Sequence, residues 1–157
     1  DELYYKLSLL GRDLLMDTLP SIIDGTNNRI KQNEDEVTFG YNITKDEEKI
    51  NFNDKIDNVY NKIRGLSSIP GAYAIINGKR MKIYMAEKTN IISAAIPGTI
   101  LDINSGGIFV STNDYVIKLT DIKLEGKKRC LVKDFINGIK KEDYDNEVFE
   151  WVILKNK

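Results

Sequence analysis

The stretch AYAIINGKRMKIYMA at residues 72–86 decides the fold. It contains two apolar runs that flank Asn77-Gly78, a dipeptide whose residues accept the positive φ angles of a two-residue hairpin turn. In the second run Met81 and Ile83 alternate with charged or polar neighbours, which is the period of a half-buried strand. The stretch therefore predicts an antiparallel β-hairpin with one face in a core.

Three further strand signals follow the hairpin. Apolar runs at 99–103, 108–111 and 115–124 are separated by turns rich in glycine, asparagine and serine. The last run changes phase at Thr120-Asp121, which predicts a bulge that lets a long strand bend. Five short strands joined by tight turns indicate an α+β chain, mainly β. Its main unit is predicted to be a small five- to six-stranded open Greek-key barrel of the oligonucleotide-binding type.

Helical and polar segments precede this barrel. Leucine and isoleucine recur at helical spacing over residues 3–24, with a kink or break expected near Pro20. Residues 26–53 are polar and acidic and are expected to be a linker. A second helix is expected to have Asp54 as its N-cap and to end at Gly65. Its predicted buried face consists of Ile56, Val59, Tyr60 and Ile63.

The end of the chain carries two weaker signals. A brief helix is predicted near residues 133–137, ending at Gly138. The run at 148–154, which includes Trp151, is apolar on both faces and is predicted to pack as an added strand.

The composition excludes several chemistries. With 157 residues, of which 41% are hydrophobic and 30% charged, the chain can form one compact domain. It has no histidine, which excludes histidine acid–base catalysis, a serine-type triad and histidine-liganded metals. The single cysteine, Cys130, excludes an internal disulfide. Its neighbour Arg129 could lower the thiol pKa, but an inert structural thiol is the favoured interpretation.

Other site and targeting signals are missing from the sequence. The acidic clusters at 34–36 and 46–48 lack the spacing of a calcium loop, so no metal site is predicted. No catalytic constellation is found. No apolar run approaches the ~18 residues needed to cross a membrane, and no signal peptide opens the chain.

The net charge of −1 hides a strong asymmetry along the chain. Residues 71–133 hold 10 basic and 5 acidic residues, for +5, whereas residues 1–50 hold 6 basic and 11 acidic residues, for −5. The basic residues occur in groups at Lys79-Arg80-Lys82, Lys118 with Lys123, and Lys127-Lys128-Arg129. Such groups could contact phosphates, or they could simply keep a small barrel soluble. The nearby aromatic residues Tyr73, Tyr84, Phe109 and Tyr115 could likewise stack on bases or fill the core.

Several motifs, in one order, resemble the methionyl-tRNA formyltransferase family. Residues 11–25 resemble the last helix of its catalytic domain, and residues 43–52 resemble its linker motif, with Phe52 where tryptophan is usual. Ile69 also replaces a usual tryptophan, and we expect this change to repack a core position. Further matching motifs lie at 63–66, 70–73, 78–83, 97–100, 125–129 and 134–138.

The resemblance implies a division of the chain. Residues 1–25 correspond to the terminal helix of a formyltransferase domain that is missing here, and residues 26–53 to the linker. Residues 54–140 correspond to the C-terminal barrel domain with its leading helix. Residues 141–157 extend past the usual end, as the added strand. The start at Asp1, without methionine, fits a fragment of a longer protein.

The resemblance also implies a function. The family transfers a formyl group from 10-formyltetrahydrofolate to the amino group of methionyl initiator tRNA, using catalytic residues in an N-terminal domain. This chain is then expected to be inactive alone, to bind no cofactor and to have no catalytic residue. Its expected partners are initiator methionyl-tRNA and the enzyme's own N-terminal catalytic domain, in a cytoplasmic monomer that contacts no membrane.

The residues expected to contact tRNA phosphates are the basic groups of the barrel and one helical arginine. They are Lys79, Arg80, Lys82, Lys127, Lys128 and Arg129, with Lys118, Lys123 and Arg64 as secondary candidates. Two alternatives remain open at this point. The chain could be the C-terminal domain of a sugar-amine formyltransferase, or a support or dimerisation domain without a binding role.

Overall fold

A computed structural model describes residues 1–150, so Trp151 and the remainder of the predicted tail strand lie outside the described residues. The chain divides into two compact units, Asp1–Asn42 and Ile43–Lys157. Among the described residues, no helix is both long enough and apolar enough to cross a membrane.

The first unit is mainly one helix. Helix α1 spans Glu2–Ile23 and continues through Pro20, so the break expected there does not occur. Gly25 follows with a φ of +68°, the left-handed conformation that ends many helices. A short 3₁₀ turn spans Glu34–Glu36. No residue of α1 is buried in the described structure, and its leucines are exposed to solvent.

The described residues of the second unit form three short helices and six strands. The helices are α2 (Lys45–Glu48), α3 (Ile56–Leu66) and α4 (Val132–Phe135), and 3₁₀ turns follow at Ile136–Gly138 and Lys141–Asp143. The strands are β1 (Ala72–Ile76), β2 (Lys79–Ile92), β3 (Ile100–Asn104), β4 (Gly107–Ser111), β5 (Tyr115–Leu124) and β6 (Cys130–Leu131).

The strands form one antiparallel sheet in the order β1-β2-β5-β4-β3, with β6 paired to β5. Strands β3, β4 and β5 follow one another as hairpins, and β2 lies beside β5, which is a Greek-key arrangement. The predicted fold class, a mainly β α+β chain with a small open Greek-key barrel after a helical segment, is confirmed by this six-stranded sheet.

The hairpin that begins the sheet has the predicted turn. Ile76 pairs with Lys79 across Asn77 and Gly78, whose φ angles are +50° and +68°. Strand β2 runs to Ile92, six residues beyond the predicted end, because its second half pairs with β5.

The predicted bulge in β5 is also present. Met85 pairs with Asp121 and Ala86 pairs with Leu119, so Thr120 has no direct partner on β2. Because of this one-residue shift, the residues of β5 on the two sides of the bulge alternate between the faces of the sheet in opposite phase. Asp121 consequently lies on the outer face of the sheet, near β6.

The core lies between the sheet and α3. Of the predicted face of α3, Ile56, Val59 and Ile63 are buried, whereas Tyr60 is half-buried. Two residues of the stretch predicted to be a linker, Ile50 and Phe52, are fully buried in this core. Phe52 packs on Phe149 with 5.2 Å between the ring centroids. Burying each such large apolar side chain contributes about 1.5–3 kcal/mol. The core therefore recruits residues well upstream of α3.

The start of α3 differs from its prediction. The N-cap is Lys55, whose side chain makes no capping bond, and the helix ends at Leu66. Asp54 accepts a hydrogen bond from the backbone N–H of Lys55 at 2.8 Å. The backbone N–H of Ile56 instead donates to Oδ1 of Asp114, also at 2.8 Å. The acceptor at the helix start thus comes from a turn 58 residues away, which no local pattern could indicate.

The described end of the chain folds back onto the sheet. Helix α4 and the 3₁₀ turn after it occupy the position of the predicted brief helix. Val148 and Glu150 form isolated antiparallel bridges with Thr99 and Ile75.

Candidate nucleic-acid interface

The outer surface of β1, β2 and β5 gathers four basic side chains. Lys82 lies in register between Tyr73 on β1 and Lys123 on β5. Arg80 precedes Lys82 by two residues on β2 and therefore points to the same face. Arg129 reaches this face from the turn before β6. We call Arg80, Lys82, Lys123 and Arg129 the cationic face.

Both arginines of the cationic face lie on tyrosine rings. The Arg80 guanidinium is 4.5 Å from the centroid of Tyr73, and that of Arg129 is 4.1 Å from the centroid of Tyr84. These are cation–π distances. Both tyrosines are buried. Their rings therefore support the arginines rather than offering free surfaces for stacking on bases.

Arg129 has a second partner, the buried carboxylate of Asp121. Its Nε is 3.0 Å from each carboxylate oxygen, and Nη2 is 2.7 Å from Oδ2. The hydrogen bond to Asp121 raises the pKa of Arg129, so the guanidinium stays charged while its charge is balanced locally. Arg129 therefore differs from its neighbours on the cationic face.

The side chains of the other three members are not paired with a carboxylate among the described residues, although the backbone N–H of Arg80 donates to Oε2 of Glu125 at 3.0 Å. In the part of the chain that the structure describes, Arg80, Lys82 and Lys123 form no ion pair. The Lys82 ammonium donates a hydrogen bond to the backbone oxygen of Pro70. Lys82 and Lys123 are directly opposite each other, an arrangement that disfavours strand pairing. Three unbalanced charges on one sheet surface are suited to contact with phosphates.

A second basic group lies elsewhere, in a cleft. Lys79 and Lys127, both predicted, line this cleft together with Lys140, which the sequence reasoning missed. Lys79 and Arg80 are consecutive on β2, so they point to opposite faces of the sheet. Lys140 carried no signal of its own because it lies in an acidic stretch. Lys128, also predicted, is exposed in the turn beside Lys127.

The remaining candidates are occupied by other contacts. Lys118 is half-buried and its Nζ is 2.6 Å from Oε2 of Glu87. Arg64 lies on α3, where its Nε donates to Asn61 and its guanidinium is 5.8 Å from the Tyr60 ring centroid. For these two residues, as for Arg129 and the other basic candidates, tRNA contact stays a prediction.

Two further expectations are resolved by burial. The pKa of the Cys130 thiol is raised, first by burial and then by the charge of Asp134, which opposes the formation of a reactive thiolate beside Arg129. Ile69 is 89% exposed. The expectation that it repacks a core position is therefore wrong, because the loop before β1 turns this side chain outward. No group of three potential metal ligands is present among the described residues.

Comparison with known proteins identifies the family. A family model described as "Formyl transferase, C-terminal domain" matches residues 42–140, which includes the whole sheet. The chain belongs to this family. The match covers the motifs from 43–52 through 134–138, whereas residues 11–25, which also carry the resemblance in the sequence, lie outside it. The predicted family resemblance is confirmed.

Three curated relatives of this formyl transferase C-terminal domain carry one name, methionyl-tRNA formyltransferase. That of Malacoplasma penetrans is 43% identical over 136 residues, which are 87% of this chain and 43% of the relative. That of Staphylococcus aureus strain MW2 is 43% identical over 85% of this chain and 43% of the relative. That of Macrococcus caseolyticus is 39% identical over 89% of this chain and 44% of the relative. The formyl transferase C-terminal domain described here thus spans less than half the length of these relatives.

Solved structures show the same fold in a more distant protein. HypX from Aquifex aeolicus in complex with tetrahydrofolic acid has a TM-score of 0.62 and 16% identity, over 79% of this chain and 22% of HypX. A HypX variant that carries six alanine substitutions has the same TM-score and 17% identity, over 82% of this chain and 24% of that chain. At these identities the likeness concerns the fold of the formyl transferase C-terminal domain alone.

Proposed function

We propose that this chain is the tRNA-binding C-terminal part of a methionyl-tRNA formyltransferase. The whole enzyme transfers a formyl group from 10-formyltetrahydrofolate to the amino group of methionyl initiator tRNA. In this proposal the sheet holds the tRNA backbone, and the chemistry takes place in an N-terminal catalytic domain. The name shared by the relatives supports the reaction, and the cationic face supports the role of this part.

The observation that carries the tRNA-binding role is the set of three unpaired charges on one face. Arg80, Lys82 and Lys123 are brought together by the register of β2 and β5, and the Tyr73 ring supports one of them. Contacts with phosphates position a nucleic acid without reading its sequence. Lys79, Lys127 and Lys128 extend the proposed contact surface around the hairpin and the turn after β5.

Helix α1 fits the same proposal. Its exposed leucines form an apolar row, and such a row normally packs on a partner surface. We assign residues 1–25 to the terminal helix of the catalytic domain and the following segment, up to Asn42, to the linker. The chain alone then has no formyltransferase activity. The 10-formyltetrahydrofolate donor binds to the catalytic domain. The whole enzyme works as a cytoplasmic monomer.

Fluorescence anisotropy tests the tRNA-binding role directly. The 157-residue chain is titrated against labelled initiator tRNA at several salt concentrations. The affinity is expected to fall by about 10²-fold or more between about 50 mM and about 200 mM salt, because each phosphate contact releases counterions. Undetectable binding at the lower salt concentration would contradict the proposal.

A matched pair of triple variants locates the contact. The face variant carries Arg80→Glu, Lys82→Glu and Lys123→Glu, and is expected to lose about 10²-fold or more in affinity. The control carries Lys45→Glu, Lys55→Glu and Lys133→Glu, three exposed lysines outside the cationic face. Both have the same net charge, so only the location of the change differs. Equal losses in the two variants would mean that the attraction is not specific to this face.

A further inference from the structure

The cleft that contains Lys79, Lys127 and Lys140 lies on the side of β2 opposite to the cationic face. It has a volume of about 610 Å³, within the range of small-molecule sites. Its walls are the start of β2, the turn after β5, and the segment around the last 3₁₀ turn. We call it the lysine cleft.

Tertiary contacts hold the two sides of the lysine cleft together. The Asn77 side-chain amide donates to the backbone oxygen of Asp143 at 3.0 Å, which ties the hairpin turn to the opposite wall. Lys127 Nζ is 3.4 Å from the backbone oxygen of Gly138 and 5.7 Å from the ring centroid of Phe135. These contacts fix the walls of the cleft relative to each other.

The cleft combines a cationic rim with an apolar floor. Three lysines face a single lining carboxylate, Asp143, and the apolar lining comes from Leu124, Ile139 and the ring of Tyr144. Tyr144 is half-buried, and its ring packs edge-on against the ring of Phe135, with 5.9 Å between the ring centroids. Burial raises its pKa, so its phenol stays neutral and adds no negative charge. A ligand that suits this cleft carries an anion at one end and a flat apolar group at the other.

We propose that the lysine cleft binds one nucleotide of an RNA strand. Its phosphate lies on Lys79, Lys127 and Lys140, and its nucleoside packs on Leu124, Ile139 and Tyr144. This inference rests on the proposed tRNA-binding function and gives Lys79 and Lys127, together with Lys140, a specific role in it. Because Lys79 and Arg80 point to opposite faces of β2, the RNA contacts both sides of the hairpin.

Adenosine 5′-monophosphate is the probe for this site. In ¹⁵N–¹H spectra of the 157-residue chain, AMP is expected to shift the amide signals of Leu124, Gly138 and Tyr144. Ribose 5-phosphate and inorganic phosphate are expected to bind about tenfold more weakly, because they lack the base that packs on the floor. No shift at the cleft, or equal affinity for AMP and phosphate, overturns the proposal.

Three variants assign the charges. Lys140→Glu is expected to weaken AMP binding by about tenfold or more, since it removes a charged hydrogen bond and adds repulsion. Lys133→Glu makes the same change at an exposed lysine outside the cleft, and is expected to have no effect. Asp143→Asn is expected to strengthen AMP binding by about threefold because it removes a repelling charge. Misfolding cannot produce an increase in AMP affinity. The Asp143→Asn variant therefore tests the proposal even if Lys140→Glu perturbs the structure.

Two outcomes separate this proposal from the proposed function. If AMP binding is absent, or responds equally to Lys140→Glu and Lys133→Glu, while tRNA binding persists, the cleft proposal alone is overturned. If AMP binds in the cleft with the expected responses to all three variants and tRNA does not bind at low salt, the cleft is a nucleotide site and the tRNA-binding function fails.

Discussion

Asp121 and Arg129 form a bidentate ion pair at the edge of the cationic face, with Nη2 of the arginine 2.7 Å from Oδ2 of the aspartate. The aspartate is buried and the arginine covers Tyr84 at 4.1 Å. The pair therefore links β5, β2 and the turn before β6. A basic residue that sequence reasoning assigns to tRNA contact here has a clear structural partner.

Replacing Asp121 tests this structural role. Asp121→Asn removes the charge that balances Arg129, and is expected to lower the free energy of unfolding by about 1–3 kcal/mol. The loss is expected to be near the lower value if water reaches the half-exposed guanidinium of Arg129. Urea unfolding followed by circular dichroism measures the change. Asp145→Asn, at an exposed carboxylate, is the control and should stay within about 0.5 kcal/mol of the parent. Equal midpoints for the two variants would show that the pair adds nothing to stability.

Replacing two of the glycines with alanine is expected to change the stability of the chain in opposite directions. A Cβ at Gly107 would lie 2.6 Å from Cγ of Lys118 and 2.7 Å from the backbone oxygen of Leu119, so Gly107→Ala should cost about 1–3 kcal/mol. A Cβ at Gly65, inside α3, meets no described atom within 4 Å. Gly65→Ala should therefore stabilise the chain, by about 0.5–1 kcal/mol, because alanine favours the helix. Thermal unfolding of both variants checks this, and a shift of the same sign in both would contradict it.

The sequence predicts the elements of this fold well because their signals are local. The turn at Asn77-Gly78 and the phase change at Thr120-Asp121 each act over a few residues, and the structure contains both. A local signal also existed for α2, which sequence reasoning missed. Thr44 accepts from the backbone of Glu47, whose carboxylate in turn accepts from Thr44, the capping box that Thr-x-x-Glu predicts.

The features that could not be predicted depend on distant parts of the chain. The helix-start acceptor Asp114 is 58 residues from Ile56, and the pairing of Asp121 with Arg129 requires the bulge to turn the aspartate outward. The basic residues were found as runs in sequence. They are divided between a sheet face and a cleft because successive side chains of β2 point to opposite faces of the sheet. The cleft also contains Lys140, which comes from a remote segment.

The aromatic contact between Phe52 and Phe149 joins two segments that flank the barrel in sequence. Both side chains are fully buried, so Phe52→Ala and Phe149→Ala should each cost about 3–5 kcal/mol. The double variant should show a coupling energy of about 1 kcal/mol, because each single change already removes the ring contact. Phe39→Ala, at an exposed ring of the first unit, is the control. Strict additivity in urea unfolding would mean that the rings do not interact.

Asp114 gives the stability of the chain a defined dependence on pH. Burial opposes ionisation of this carboxyl, but hydrogen bonds from Ile56, Thr112 and Tyr115 outweigh it and lower its pKa below the ordinary value of 3.8. The unfolded chain therefore binds this proton at a higher pH than the folded chain does. The contribution of Asp114 is complete above about pH 5 and is lost as the pH falls through its folded-state pKa.

The variant Asp114→Asn isolates this contribution. It should be less stable than the parent by about 1 kcal/mol at pH 7, because an amide is a weaker acceptor for the start of α3. The gap should shrink as the pH falls below about 4, since the parent then loses the same charge. Other carboxyls with lowered pKa values, such as Asp102, titrate in both proteins and cancel in the difference. Urea unfolding at pH 7, pH 4 and pH 3 measures the difference in the free energy of unfolding between the parent and the variant. A gap that is constant across this range would show that the Asp114 charge does not stabilise the helix start.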